Sequence, residues 1–176
     1  TGYDGIYAQN GFAGTSLTIN AATTTGGENG IKARTLGSGD VTINAVTTTG
    51  GYTGINAINY GTGALSITTT GTTTGGDDGI FAKINNTAST GDLTINAATT
   101  TGGNYGIYAD NRGTGALSII TTGTTTASGT SNGNSGIYAL NRADSTGDLT
   151  INAATTTGGI TGITAVNFGD SALSIT

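Results

Sequence analysis

The stretch GIFAKINNTASTGDLTINAATTTGG, residues 79–103, decides the fold. It opens on Gly79-Ile80 with Ala82 two residues on, runs through a polar turn, alternates through Leu93-Thr94-Ile95, and closes on three threonines and two glycines. Outside this window the same unit returns throughout the chain. Gly-Ile recurs at Gly5, Gly30, Gly54, Gly79, Gly106, Gly136 and Gly162, spaced 25, 24, 25, 27, 30 and 26 residues apart. Each is followed by an alanine: Ala8, Ala33, Ala57, Ala82, Ala109, Ala139 and Ala165. The alternating triplet begins at Leu17, Val41, Leu65, Leu93, Leu117, Leu149 and Leu173, and its third member is Ile in every unit, from Ile19 to Ile175.

Alternation with a period of two is the mark of a strand with one face buried, so the middle residues (Thr18, Thr42, Ser66, Thr94, Ser118, Thr150, Ser174) face out. A helix is excluded, since nothing recurs at 3.6 spacing and Gly and Thr are poor helix formers. One unit carries too little apolar surface to fold alone. Stacked, the four apolar positions become four ladders of 28 core residues, which is the physics of a solenoid. The expectation is an all-β, single-domain parallel β-helix (β-solenoid) over residues 1–176, about seven coils of 24–30 residues. Each coil has three short strands: Gly-Ile-x-Ala-x-Asn, the Leu-Thr-Ile segment, and the Thr run. Glycine corners such as Thr25-Gly26-Gly27 and Gly61-Thr62-Gly63 are expected at positive φ. Extra length at 85–92 and 127–134 falls at corners and leaves the stack intact. At about 4.8 Å per coil the rod is about 33 Å long. The final coil stops at Thr176 without a third strand, so the chain reads as a piece of a longer array, or as coils that continue between molecules.

Composition narrows function. Of 176 residues, 33 are Gly, 40 Thr and 16 Asn, with no Pro, Cys, Met, Trp or His, and 9% are charged. Without His or Cys there is no Ser-His or Cys-His dyad and no ordinary zinc, haem or iron–sulfur set, so no cofactor or metal is expected. A net charge of −5 from five basic and ten acidic residues argues against nucleic acid as partner. No stretch approaches the ~20 apolar residues of a membrane span.

The segments GIYADNRGTGALSIITTGTTT (106–126) and GIFAKINNTASTGDLTINAATTTGG resemble passenger-domain repeats of bacterial autotransporters, the type V secreted surface proteins. The resemblance covers essentially the whole chain. It implies a right-handed β-helix, an extracellular or cell-surface location, and an adhesive or spacer role. The chain departs from that pattern in the third strand, where the family often has an apolar residue and this sequence has Thr24, Thr48, Thr73, Thr100, Thr125 and Thr156.

Four groups of residues are candidate sites. The Thr triplets at 23–25, 47–49, 72–74, 99–101, 124–126 and 155–157 are the most regular. With the middle residue inward, Thr23, Thr25, Thr47, Thr49, Thr72, Thr74, Thr99, Thr101, Thr124, Thr126, Thr155 and Thr157 form two ranks on a flat, uncharged face. The ranks are spaced about 4.8 Å along the axis and about 6.7 Å across it. That arrangement is similar to the ice-binding face of β-solenoid antifreeze proteins, while the β-propensity of Thr and its cross-strand pairing account for it without ice. Tyr7, Phe81, Tyr108 and Tyr138 share the outward position after the first-strand Ile and offer rings to sugars or to one another. Asn10, Asn59, Asn111, Asn141 and Asn167 follow the first strand and suit corner or ladder duty. Among carboxylates, Asp40, Asp92 and Asp148 lie two coils apart, about 9–10 Å, a spacing that the repeat imposes and that brushes the upper limit for an inverting glycosidase. Asp77-Asp78 and Asp110 with Arg112 read as ordinary turn and surface groups.

The resulting expectation is a non-enzymatic structural or adhesive β-helix segment of a bacterial surface or secreted protein. Its partners would be neighbouring coils by self-association, a host glycan or surface receptor, or ice. Ice binding through the Thr face is the alternative, and a polysaccharide-active enzyme a distant third.

Overall fold

The computed structural model describes residues 2–131, 133–142 and 146–176, so part of the expected 127–134 insertion lies outside the described residues. The chain is all-β. Seven strands form one parallel sheet in sequence order: β1 (Ile6–Asn10), β3 (Asn29–Thr35), β5 (Thr53–Asn59), β7 (Asp78–Ile84), β9 (Tyr105–Asn111), β11 (Ser135–Asn141) and β13 (Thr161–Asn167). The other seven form a second: β2 (Ser16–Gly26), β4 (Asp40–Gly50), β6 (Leu65–Gly75), β8 (Leu93–Gly102), β10 (Leu117–Ala127), β12 (Leu149–Thr157) and β14 (Leu173–Ile175). Each coil contributes one strand to each sheet, giving a β-solenoid of about seven turns. Register is what the repeat dictates, with Ile55 beside Ile80 and Ile67 beside Ile95.

Each coil has two strands where three were expected, because the Leu-Thr-Ile segment and the Thr run are one continuous strand. Between them the inward–outward alternation resets: Ala45 is buried, Val46 and Thr47 both lie outside, and Thr48 is buried. In β2 and β4 the register runs on unshifted across this reset, with the pair Ala22 and Val46 skipped. Where a coil has one residue more, as β6 does through Gly71, the register shifts at that point and resumes at the Thr run. The extra residue is absorbed as a bulge, which leaves the alignment on either side untouched.

Of the 28 ladder positions, 21 are buried. The seven others (Ile6, Ala8, Leu17, Ile163, Ala165, Leu173, Ile175) lie in the first and last coils, which have a neighbour in this chain on one side only. Full burial of each Ile or Leu stabilises by about 1.5–3 kcal/mol. Two further inward ladders complete the core. One is Ala21, Ala45, Thr69, Ala97, Thr121 and Ala153; the other is the middle Thr of each run.

Positive φ does not explain the corner glycines, since among described residues only Gly2 and Gly133 have it. The reason is close approach. A Cβ on Gly50 would collide with the Thr53 carbonyl oxygen, and Gly26, Gly75, Gly102 and Gly158 meet the equivalent carbonyl three residues on. The chain turns so tightly that a hydrogen is the only side chain that fits.

Candidate functional site

The Thr run ends each even strand in register with its neighbours: Thr23 pairs Thr47, Thr72 pairs Thr99, Thr74 pairs Thr101, and Thr126 pairs Thr157. The middle Thr points inward, with Thr48, Thr73, Thr100 and Thr125 fully buried. The twelve flanking threonines lie outside, half-buried or exposed, and none makes a side-chain hydrogen bond among the described residues. The structure therefore assembles both ranks along six coils. Inside, among the described residues, only the Thr100 and Thr125 hydroxyls come within bonding reach of each other, at 3.4 Å. Those of Thr24, Thr48 and Thr73 find no partner, a cost of about 1–3 kcal/mol each.

Alongside this face, where the alternation resets, the surface is hollowed into two adjoining grooves of about 420 and 340 Å³. Ala22, Val46, Thr70 and Ala98 form one wall, Asn20, Asn44, Thr68, Asn96 and Ile120 the other. Val46 and Ile120 are exposed apolar side chains here. The two consecutive outward residues that open this groove, such as Val46 and Thr47, have no signature in residue type.

Three of the four predicted aromatics come together. Phe81 stacks on Tyr108 with centroids 4.9 Å apart and planes 3° from parallel, and Tyr108 on Tyr138 at 5.4 Å and 9°. Tyr105, which sequence reasoning passed over, tilts against both tyrosines at 5.4 and 5.3 Å. Tyr7 is three coils away from Phe81, separated in register by Lys32 and Asn56, with Lys32 Nζ 5.9 Å from its ring centre. The stacking spends the ring faces on one another, so the inner rings present edges and phenols outward.

The carboxylates divide into three roles. Asp40, Asp92 and Asp148 each accept the backbone N–H of the next coil, from Ala64 (2.8 Å), Ala116 (2.8 Å) and Ala172 (3.0 Å). Asp110 is no surface group: it is fully buried beneath Lys83, Arg112 and Arg142, and Arg142 Nε donates to it at 2.7 Å. Burial alone would raise its pKa, but the bonds and charges of Arg142 and Lys83 hold it below the usual carboxylate range. Asp78 is nearly buried, one of its oxygens has no partner, and burial together with adjacent Asp77 pushes its pKa up to about 7. The turn aspartate Asp77 accepts from Asn104 one coil on.

The corner asparagines bond as their place suggests. Asn59 Nδ2 donates to the Gly63 carbonyl at 2.6 Å while its Oδ1 accepts from Gly61 N–H at 2.7 Å, and Asn111 repeats both bonds with Gly115 and Gly113. Asn111 also donates to Asn141, and Asn141 to Asn167, at 3.2 and 3.3 Å, a short amide ladder. Ile84 and Thr35 interrupt the series and are buried outright. In comparison with known proteins, no family model, curated protein or solved structure matches this chain.

Proposed function

We propose that this chain is a non-enzymatic structural segment of a bacterial surface or secreted protein, a rigid spacer that also displays an adhesive surface. The observation that carries the reading is how polar side chains are spent. The three corner aspartates and the corner asparagines bond backbone of their own or the next coil, which ties coils together rather than arming a cleft. Such a rod suits holding a contact surface at a distance from a cell. The autotransporter-like repeat supports the same reading. Microspheres coated with the chain and flowed over eukaryotic cells are the test. Retention above that of uncoated spheres is expected; absence of retention on cells and on immobilised glycans removes the adhesive part. Forced unfolding in an optical trap then addresses the spacer part, which is lost if coils yield at forces typical of isolated small domains.

A second reading is favoured by a specific observation: the two in-register Thr ranks are uncharged and free of internal hydrogen bonds. Methyls and hydroxyls repeating about every 4.8 Å form a surface able to order water. Thermal hysteresis in the parent that collapses in Thr99→Lys would make this the functional face. Its absence at high protein concentration would dismiss ice as the partner.

A further inference from the structure

Three cationic side chains converge on Asp110. Arg142 reaches it through Nε at 2.7 Å and Nη2 at 3.1 Å, Lys83 through Nζ at 3.3 Å, and Arg112 through Nε at 3.4 Å. These are three of the five basic residues in a chain of net charge −5. Among the described residues no other carboxylate pairs with them. The Arg112 and Arg142 side chains remain 41% and 38% exposed. Each guanidinium thus holds Asp110 with one edge and keeps N–H donors toward solvent with the other. A staple for one buried carboxylate needs one cation; this arrangement has capacity beyond that.

The tyrosines supply the rest of the site. Tyr108 precedes Asp110 by two residues on β9, so both face outward on the same strand, and Tyr105 and Tyr138 pack beside it. Their ring faces are taken up by stacking, which leaves edges and hydroxyls as the contact groups. Burial raises the Tyr105 and Tyr108 phenols, which keeps them protonated donors at neutral pH.

We propose that this cluster recognises an anionic sugar, whose carboxylate or sulfate is held by the free edges of Arg112 and Arg142 and whose hydroxyls meet the tyrosine phenols. Carboxylate and sulfate share the paired oxygens that an arginine fork bonds two at a time. Three cations gathered on an otherwise acidic molecule suit a single anionic group, and they do not suit a polyanion such as nucleic acid, which needs many. The proposal rests on the adhesive reading above and supplies its ligand class.

The test is a two-dimensional NMR titration with methyl glucuronide, glucose 6-sulfate and, as neutral reference, methyl glucoside. Shifts at Lys83, Tyr108 and Arg112 are expected with the anions and not with the glucoside, and the two anions separate a uronate site from a sulfate site. Arg112→Gln, which leaves Asp110 paired with Arg142 and Lys83, should weaken binding about tenfold, the effect of one charge-assisted bond. Asp110→Asn removes the competing internal carboxylate and should tighten it. The amide spectra themselves report whether each variant is folded; if either has lost dispersion, Arg112→Lys, which keeps charge but not the fork, should still weaken binding. Equal shifts with all three sugars, or unchanged affinity in the folded Arg112 variants, overturns the site. The microsphere assay separates the two claims: sugar binding without retention sinks the adhesive reading alone, and retention indifferent to Arg112→Gln sinks the site alone.

Discussion

Asp92 Oδ1 accepts the backbone N–H of Ala116 at 2.8 Å, 24 residues and one coil further along the rod. The bond is a cap applied between coils. It satisfies an amide at the corner leading into β10, and Asp40 and Asp148 repeat it on Ala64 and Ala172. A feature that resembles a row of spaced catalytic carboxylates is thereby part of the stacking.

Replacing Asp92 with Ala should cost about 1 kcal/mol in chemical denaturation, the worth of an exposed charge-assisted bond. Asp92→Asn retains an acceptor oxygen and should lose less than half of that. Equal losses for the two would show that charge, and not the cap, matters at this corner.

The alternation of β8 has a direct mutational reading. Ile95 is fully buried, so Ile95→Asp puts an unpaired charge between coils and should cost several kcal/mol. Thr94 beside it is outward, and Thr94→Ser should change stability by less than about 0.5 kcal/mol. Comparable losses would contradict the inward and outward assignment.

Asp78 makes stability depend on pH in an uncommon direction. Its folded pKa of about 7 exceeds the ordinary carboxylate value, so between about pH 4 and 7 the folded state keeps a proton that the unfolded chain has released. Stability from this group is therefore complete at and below about pH 4 and lost as pH rises to about 7. Urea denaturation should show the parent less stable at pH 8 than at pH 5, by on the order of 1–3 kcal/mol. Asp78→Asn should flatten that slope and be the more stable protein at pH 8. A parent that gains stability over the interval as much as the variant does would refute the assignment.

Corner glycines should tolerate nothing larger where backbone passes close. Gly50→Ala drives a methyl into the Thr53 carbonyl and is expected to cost about 3 kcal/mol or more, read from the melting temperature. Gly11→Ala meets no atom within 4 Å and has ordinary φ, so it should be neutral or stabilise by about 0.5 kcal/mol.

The ladders were legible because they depend on period alone: Ile55, Ile80 and Ile107 stack whenever one coil sits in register on the next. The inward Thr did not follow from period: alternation carried on from Val41 would put Thr47 inside, and the reset at Val46 and Thr47 turns Thr48 in instead. Asp110 was not legible, because its burial depends on Lys83 and Arg142 arriving from two other coils at an outward position where no pattern repeats. The caps of Asp40, Asp92 and Asp148 were visible as a spacing, but their acceptor role requires knowing which amide lies opposite. The groove beside the Thr ranks follows from a reset of alternation inside one continuous strand, something residue types alone do not distinguish from a third strand.

Because Asp-bearing corners alternate with the alanine corners they cap, the rod counts in pairs. Residues 61–67 and 113–119 read GTGALSI alike, so excising 65–116 rejoins identical sequence and leaves Asp40 over Ala64 and Asp148 over Ala172. Excising the single coil 41–64 instead brings Asp40 against Asp92, two carboxylates about 4.8 Å apart with no amide of alanine between them. Gene-level slippage would then lengthen or shorten such a rod two coils at a time, and the shorter deletion should melt earlier than the longer one.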